Sequence, residues 1–213
     1  MNIIYNIMFR WLIEFDKETL LYLNSIHAPM WDEIMWWASK TITWIPLYVV
    51  LIVFIIYRER PRQFIYTLVF AAIVILLSDR LSVIIKDFVE RPRPTHNPEI
   101  AYMVHIVNNY SGQVYGFVSS HATNVFAVAT FLSNQFKDYK WSLLLFTWAV
   151  VISYSRIYLG VHYPLDIIFG ALLGILIGML CYVFKMQIVM YTERCIEINK
   201  EKKRHATKLS ANS

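Results

Sequence analysis

Three short stretches carry side chains that an apolar chain would otherwise exclude. KDFVERPRP, residues 86–94, brings Lys86, Arg91 and Arg93 together, the two arginines each before a proline. GFVSSHATN, residues 116–124, sets Ser119, Ser120 and His121 at the head of an apolar run. SRIYLGVHYPLD, residues 155–166, places Ser155, Arg156, His162 and Asp166 between two apolar runs. Clustered lysine and arginine attract an anion and stabilise charge on the equatorial oxygens of a phosphoryl group in transfer. Of two histidines, one can attack phosphorus and the other can protonate the leaving oxygen. His162 and Asp166 are four residues apart, which puts them on one face of a helix start. Asp166 can then accept from one ring nitrogen of His162, fix its tautomer and turn the other nitrogen outward.

Each stretch also has a plainer reading. Basic residues at the end of a span anchor it among headgroups. A serine before a helix caps it, though a helix N-terminus also favours an anion. A lone interfacial histidine is more often structural. The chemical reading therefore depends on all three stretches lying on one side of a membrane. His121, His162 and Asp166 could in principle make three metal ligands. Lys86, Arg93 and Arg156 would repel a dication there, so neither a metal nor another cofactor is expected.

The elements that must position these groups are membrane helices. Hydrophobic residues make up 57% of the 213-residue chain and charged ones only 16%. A soluble domain carries about 25% charged residues. A bilayer span needs ~20 mostly apolar residues, and five stretches come close: 41–57, 64–86, 120–136, 141–159 and 163–185. Backbone in lipid must satisfy its own hydrogen bonds, so these stretches predict an all-α, polytopic helix bundle. Residues 1–40 carry shorter apolar stretches, at 7–15 and 30–38, that fit interfacial or re-entrant helices. Alternatively, 16–39 forms a poor sixth span broken near Pro29. The expected organisation is an N-terminal segment 1–40, a transmembrane core 41–186 and a basic tail 187–213. The charged stretch 192–213, with no apolar periodicity after Ile198, is expected to extend the last helix and fray into disorder.

Orientation follows from lysine and arginine in the short loops. Arg58, Arg60 and Arg62, then Lys137 and Lys140, then the basic tail all fall on one side if the five spans alternate. That side is expected to be cytoplasmic, with the formal net charge of +5 serving topology. The 87–119 loop and the 155–163 turn, and with them the three polar stretches, then face the periplasm of a bacterial inner membrane. The N-terminus has no basic start and no small-residue cleavage site, so a cleaved signal peptide is not expected. Cys181 and Cys195 are in no metal-ligand spacing and are expected to be reduced. No nucleic-acid module is present, and nothing sets an oligomeric state.

Asp79 and Arg80 lie deep in the second apolar stretch. Each charge at a bilayer centre costs about 2.5–3.5 kcal/mol on insertion scales. Neighbours on a helix do not share a face, so each is expected to pair with another helix. Asp79 is two turns from Lys86 and roughly 10 Å deeper. It is expected either to brace the cations from below or to make a purely structural contact.

The three stretches resemble the signature of the type-2 phosphatidic-acid phosphatase superfamily: K-x(6)-R-P, then P-S-G-H, then S-R-x(5)-H-x(3)-D. Lys86 is followed after six residues by Arg93 and Pro94, and Ser155, Arg156, His162 and Asp166 match the third motif in full. The middle motif departs, with Val118 for proline and Ser120 for glycine, while Ser119 and His121 are kept. The resemblance covers about residues 40–185. It implies a metal-independent phosphatase in which His162 is the nucleophile and forms a phosphohistidine. Asp166 would orient it, and His121 would serve as acid for the leaving group and then as base for water. Lys86, Arg93, Arg156, Ser119, and with them Ser120 and Ser155, would hold the phosphate. The family's soluble vanadate-binding haloperoxidases lack such spans. A site at the membrane surface implies a lipid-linked phosphate: a lipid A phosphate or undecaprenyl diphosphate first, phosphatidylglycerol phosphate or phosphatidic acid as alternatives. The reading from another class is a non-catalytic anion-binding transporter or scaffold.

Overall fold

Prolines mark where several helices begin, because the first helical position needs no N–H and suits the fixed φ of the ring. Pro29 opens α2 (Pro29–Ala38), Pro61 opens α4 (Pro61–Val89) and Pro164 opens α7 (Pro164–Ala211) in the computed structural model, which describes residues 2–211. The other helices are α1 (Asn2–Ser25), α3 (Ile45–Arg58), α5 (Ser120–Phe136) and α6 (Tyr139–Tyr158), and no strand occurs among the described residues. Left-handed residues end two of them, Glu90 after α4 and Lys137 after α5, each with φ of 51°.

Helix α5 is the central post, packed against α4, α6 and α7. Small side chains let α7 approach it closely. A Cβ added at Gly170, Gly174 or Gly178 would strike the backbone carbonyl of Ser119, Thr123 or Ala127 respectively. This seam, one glycine per turn of α7, brings two helix backbones into contact, as small residues do in membrane bundles. Phe131, Leu132, Leu145, Trp148 and Ile152 fill the adjoining core. Polar pairs line the α4–α5 contact: Ser78 donates to Asn124 at 2.7 Å and Ser82 to Ser120 at 2.7 Å. At the other end of the bundle, buried Lys185 donates to Thr67 and Gln135, both at 2.6 Å, and Thr67 donates to Glu59 at 2.7 Å.

The five expected spans all appear as helices. Three stretches, Thr41–Arg58, Pro61–Val89 and Pro164–Lys202, are long and apolar enough in themselves to cross a membrane. Helix α5 has only 17 residues and buries much of its surface against its neighbours, so it needs less apolarity towards lipid. The N-terminal segment breaks at 26–28, beside the Pro29 that suggested a break. Its helices dock at the end of the bundle that carries the polar stretches: Asn24 donates to the carbonyls of Tyr158, at 2.7 Å, and His105, at 3.2 Å. Trp11, Phe15, Tyr22, Trp31 and Trp37 are exposed on this segment, the residue types found where lipid meets water.

Two expectations change. The tail extends the last helix as expected, but the fraying expected within 192–213 does not appear among the described residues, where α7 runs to Ala211. Residues 187–211 contain no glycine or proline and are rich in glutamate and lysine, which favours continued helix. Asp79 and Arg80 are both exposed at their helix surface, and neither makes an ion pair among the described residues.

Candidate active site

The last turn of α4, the loop behind it, the first turn of α5, the last turn of α6 and the first turn of α7 converge at one end of the bundle. Lys86, Arg93, Ser119, Ser155, Arg156, His162 and Asp166 are all buried there. The loop is pinned in place by its backbone. Arg93 N–H donates to Val114 at 2.9 Å and Gly116 N–H to Arg91 at 2.9 Å. Gly116 leaves room for the site itself, since a Cβ would lie 3.1 Å from both Arg93 and an Asp166 oxygen.

His162 and Asp166 make the expected pair. His162 Nδ1 lies 3.3 Å from Asp166 Oδ2, which also accepts from the Tyr163 N–H at 3.0 Å. With Nδ1–H donating to the carboxylate, Nε2 carries the free lone pair. Burial holds His162 well below the ordinary histidine range, and the charges of Arg93, Arg156 and Lys86 press it further down. Burial also lowers Arg93, with Arg156 adding to the effect. Both effects on His162 favour the neutral imidazole.

The cations fall into two groups. Arg91 is neutralised: its two terminal nitrogens reach Asp166 Oδ1 at 2.8 Å and Asp16 Oδ2 at 2.7 Å, and its guanidinium stacks on Tyr163 at 3.9 Å. Lys86, Arg93 and Arg156 pair with no carboxylate among the described residues. Arg93 donates to the carbonyls of Tyr115, at 3.0 Å, and Val161, at 3.4 Å, and Arg156 to the Tyr110 hydroxyl at 3.0 Å. The buried Nε of Arg156 has no hydrogen-bond partner among the described residues. Buried donors are normally satisfied, and an anion would satisfy this one.

The serines divide. Ser119 caps α5, with Ala122 N at 3.5 Å from its oxygen, and its own N–H donates to the Asp166 carbonyl at 3.0 Å. Ser120, the residue in place of glycine, turns its hydroxyl towards α4, where it accepts from both Ser82 and Lys86. It thus holds the lysine rather than crowding the loop. Ser155 differs from expectation, because its hydroxyl donates back to the Ile152 carbonyl at 2.6 Å. That hydrogen is committed within α6, as is common for a helical serine. His121 is partly buried in the first turn of α5 and lines a cavity of about 480 Å³ that runs down between α3, α4, α5 and α6.

Sequence reasoning assigned no role to Asp16, Arg91 or Tyr110. Arg91 stood in a noted cluster. Asp16 lies on an interfacial helix among other charges, with its partner Arg91 75 residues away, and no spacing signals such a pair.

The fold and site define a helical membrane protein with a buried cationic pocket facing an oriented histidine. The profile of the PAP2 superfamily matches residues 65–189, and the chain belongs to that family. The lipid A 4'-phosphatase of Bacteroides thetaiotaomicron is 35% identical over 178 residues, covering 82% of this chain and 79% of that one. An undecaprenyl-diphosphatase of Sulfolobus acidocaldarius is 30% identical over 165 residues, covering 76% and 74%. Among solved structures, LpxE of Aquifex aeolicus superposes with a TM-score of 0.60 at 28% identity, covering 77% of this chain and 92% of that one.

Proposed function

We propose that the protein is a lipid phosphatase that removes a terminal phosphate from a lipid-linked substrate through a phosphohistidine. The observation that carries this reading is the set of three unpaired cations, Lys86, Arg93 and Arg156, gathered around a His162 whose Nδ1 is tied to Asp166. Three fixed positive charges suit the three equatorial oxygens of a phosphoryl group. His162 Nε2 attacks phosphorus, and the bond to the bridging oxygen breaks with its electron pair staying on that oxygen. His121 donates the proton that completes the leaving group. Water then attacks the phosphohistidine and gives its proton to His121. The P–N bond breaks, its pair returns to Nε2, and inorganic phosphate leaves.

The cavity beside His121 gives the apolar part of the substrate a place. Trp44, Tyr48, Leu51 and Ile75 line it, and exposed apolar faces of α3 and α4 adjoin it. A lipid whose phosphate reaches the pocket can keep its chains at membrane depth. A lipid A phosphate and undecaprenyl diphosphate are the favoured substrates, supported by the relatives that act on them. The basic residues at the far end support a site on the periplasmic side of a bacterial inner membrane.

The test is phosphate release by the purified protein in detergent micelles from long-chain lipid phosphates, with quenching in alkaline dodecyl sulfate to look for an acid-labile, base-stable phosphoprotein. Turnover with such a phosphoprotein, lost in His162→Ala, supports the reading. Anion binding without any turnover would make the protein a carrier or scaffold instead.

A further inference from the structure

The walls of the cavity beside His121 are apolar apart from a few polar groups at its upper end: Ser120, His121, Asn124, Ser39 and Thr41. Among the described residues its only carboxylate is Asp79, and no lysine or arginine of theirs lines it. Lys86, Arg93 and Arg156 are outside this lining, and Arg80 faces elsewhere on α4. Asp79 makes no ion pair among the described residues, although its charge reaches Lys86. His121 therefore stands between two regions of opposite sign. The phosphoryl pocket is cationic, and the cavity that must receive the leaving group is apolar with one anionic group near the end where His121 stands.

We propose that Asp79 is a specificity-determining residue that selects phosphate monoesters of neutral alcohols against diphosphates. The inference rests on the phosphatase reading above and sharpens it. When a monoester is cleaved, the bridging oxygen keeps the bonding pair, takes a proton from His121 and departs as an uncharged hydroxyl. That hydroxyl, or others on a sugar-like body, can donate to the Asp79 carboxylate. When a diphosphate is cleaved at its terminal phosphorus, the departing group is a phosphate monoester that keeps negative charge. That charge would lie in a low-dielectric cavity facing a carboxylate, where repulsion is weakly screened. Selectivity by a built-in repulsive element is a general device. It favours a sugar phosphate such as that of lipid A over undecaprenyl diphosphate.

A matched pair of probes isolates the charge. Phosphatidic acid and diacylglycerol pyrophosphate share one apolar body and differ only in the second phosphate. In mixed micelles, the expected wild-type kcat/KM is higher for phosphatidic acid. Asp79→Asn and Asp79→Ser should each shift the ratio of the two kcat/KM values towards the diphosphate by about tenfold or more. Asp79→Glu should keep the wild-type ratio. A wild-type preference for the diphosphate overturns the proposal, and this measurement stands even if a variant fails to accumulate. An unchanged ratio in either neutral variant also overturns it. No turnover of either lipid, together with none of lipid A or undecaprenyl diphosphate, would defeat the phosphatase reading itself.

Discussion

Arg91 and Asp166 meet at 2.8 Å through Asp166 Oδ1, leaving Oδ2 to face His162. The same guanidinium reaches Asp16 of α1. The carboxylate that orients the histidine is thus itself oriented, and the N-terminal helix takes part in holding it. Arrangements of this kind fix a ligand or nucleophile more firmly than a single contact can.

Arg91→Ala is expected to leave two buried carboxylates unpaired. Breaking a buried pair from one side costs on the order of 3 kcal/mol, so thermal unfolding in detergent should begin at a clearly lower temperature. Arg91→Lys, which cannot reach both carboxylates as a fork, should be intermediate. If His162 is misdirected, kcat falls more than KM rises. Equal kcat with lowered stability would make Arg91 a structural residue alone.

His162→Ala should abolish turnover with little change in unfolding temperature. His121→Ala should slow monoester cleavage by about a hundredfold or more, the usual worth of a general acid. With a diphosphate, whose leaving group needs less protonation, the same variant should accumulate phosphoprotein. Wild-type rates in His162→Ala would rule out the nucleophile.

Orthovanadate should inhibit competitively, because a five-coordinate vanadium matches the phosphoryl transition state held by Lys86, Arg93 and Arg156. Chelators should have no effect, since these cations disfavour a bound dication. Activity removed by EDTA and restored by zinc would contradict the anion-site reading.

The pH dependence follows from His162, held well below its ordinary 6.5 chiefly by burial. The free enzyme keeps a neutral nucleophile as pH falls through that value, so the acid limb of kcat/KM that belongs to His162 lies below it. Stability moves the other way. The unfolded chain takes up a proton near the ordinary value while the folded chain resists it. Stability therefore declines as pH drops further, by at most about 1.4 kcal/mol per pH unit for this group. Denaturation profiles at several pH values would check the sign against His162→Ala, which should flatten the slope.

Much of this was visible in the chain because its signals are local. Apolar runs of bilayer length became helices, and the i, i+4 spacing of His162 and Asp166 became a contact. What stayed hidden depends on distance in sequence or on side-chain direction. Nothing near Asp16 points to Arg91. Ser155 matches the motif by type, yet its hydroxyl turns back on its own helix. Asp79 shares a heptad spacing with Lys86 and its charge reaches that lysine, while its carboxylate lines the cavity with no ion pair among the described residues. The tail's helicity was legible, and only its fraying was not, because high charge suppresses a packed core without preventing a single helix.

The Asp16 carboxylate also accepts the Leu165 N–H at 2.9 Å, at the first turn of α7. Helix α1 precedes α7 in the chain, so this contact cannot form until synthesis has passed Leu165. Nascent chains halted at the end of α6 hold Lys86 and Arg93 but neither His162 nor Asp166. The His162–Asp166 pair is thereby completed only after helices α1 to α6 have been made.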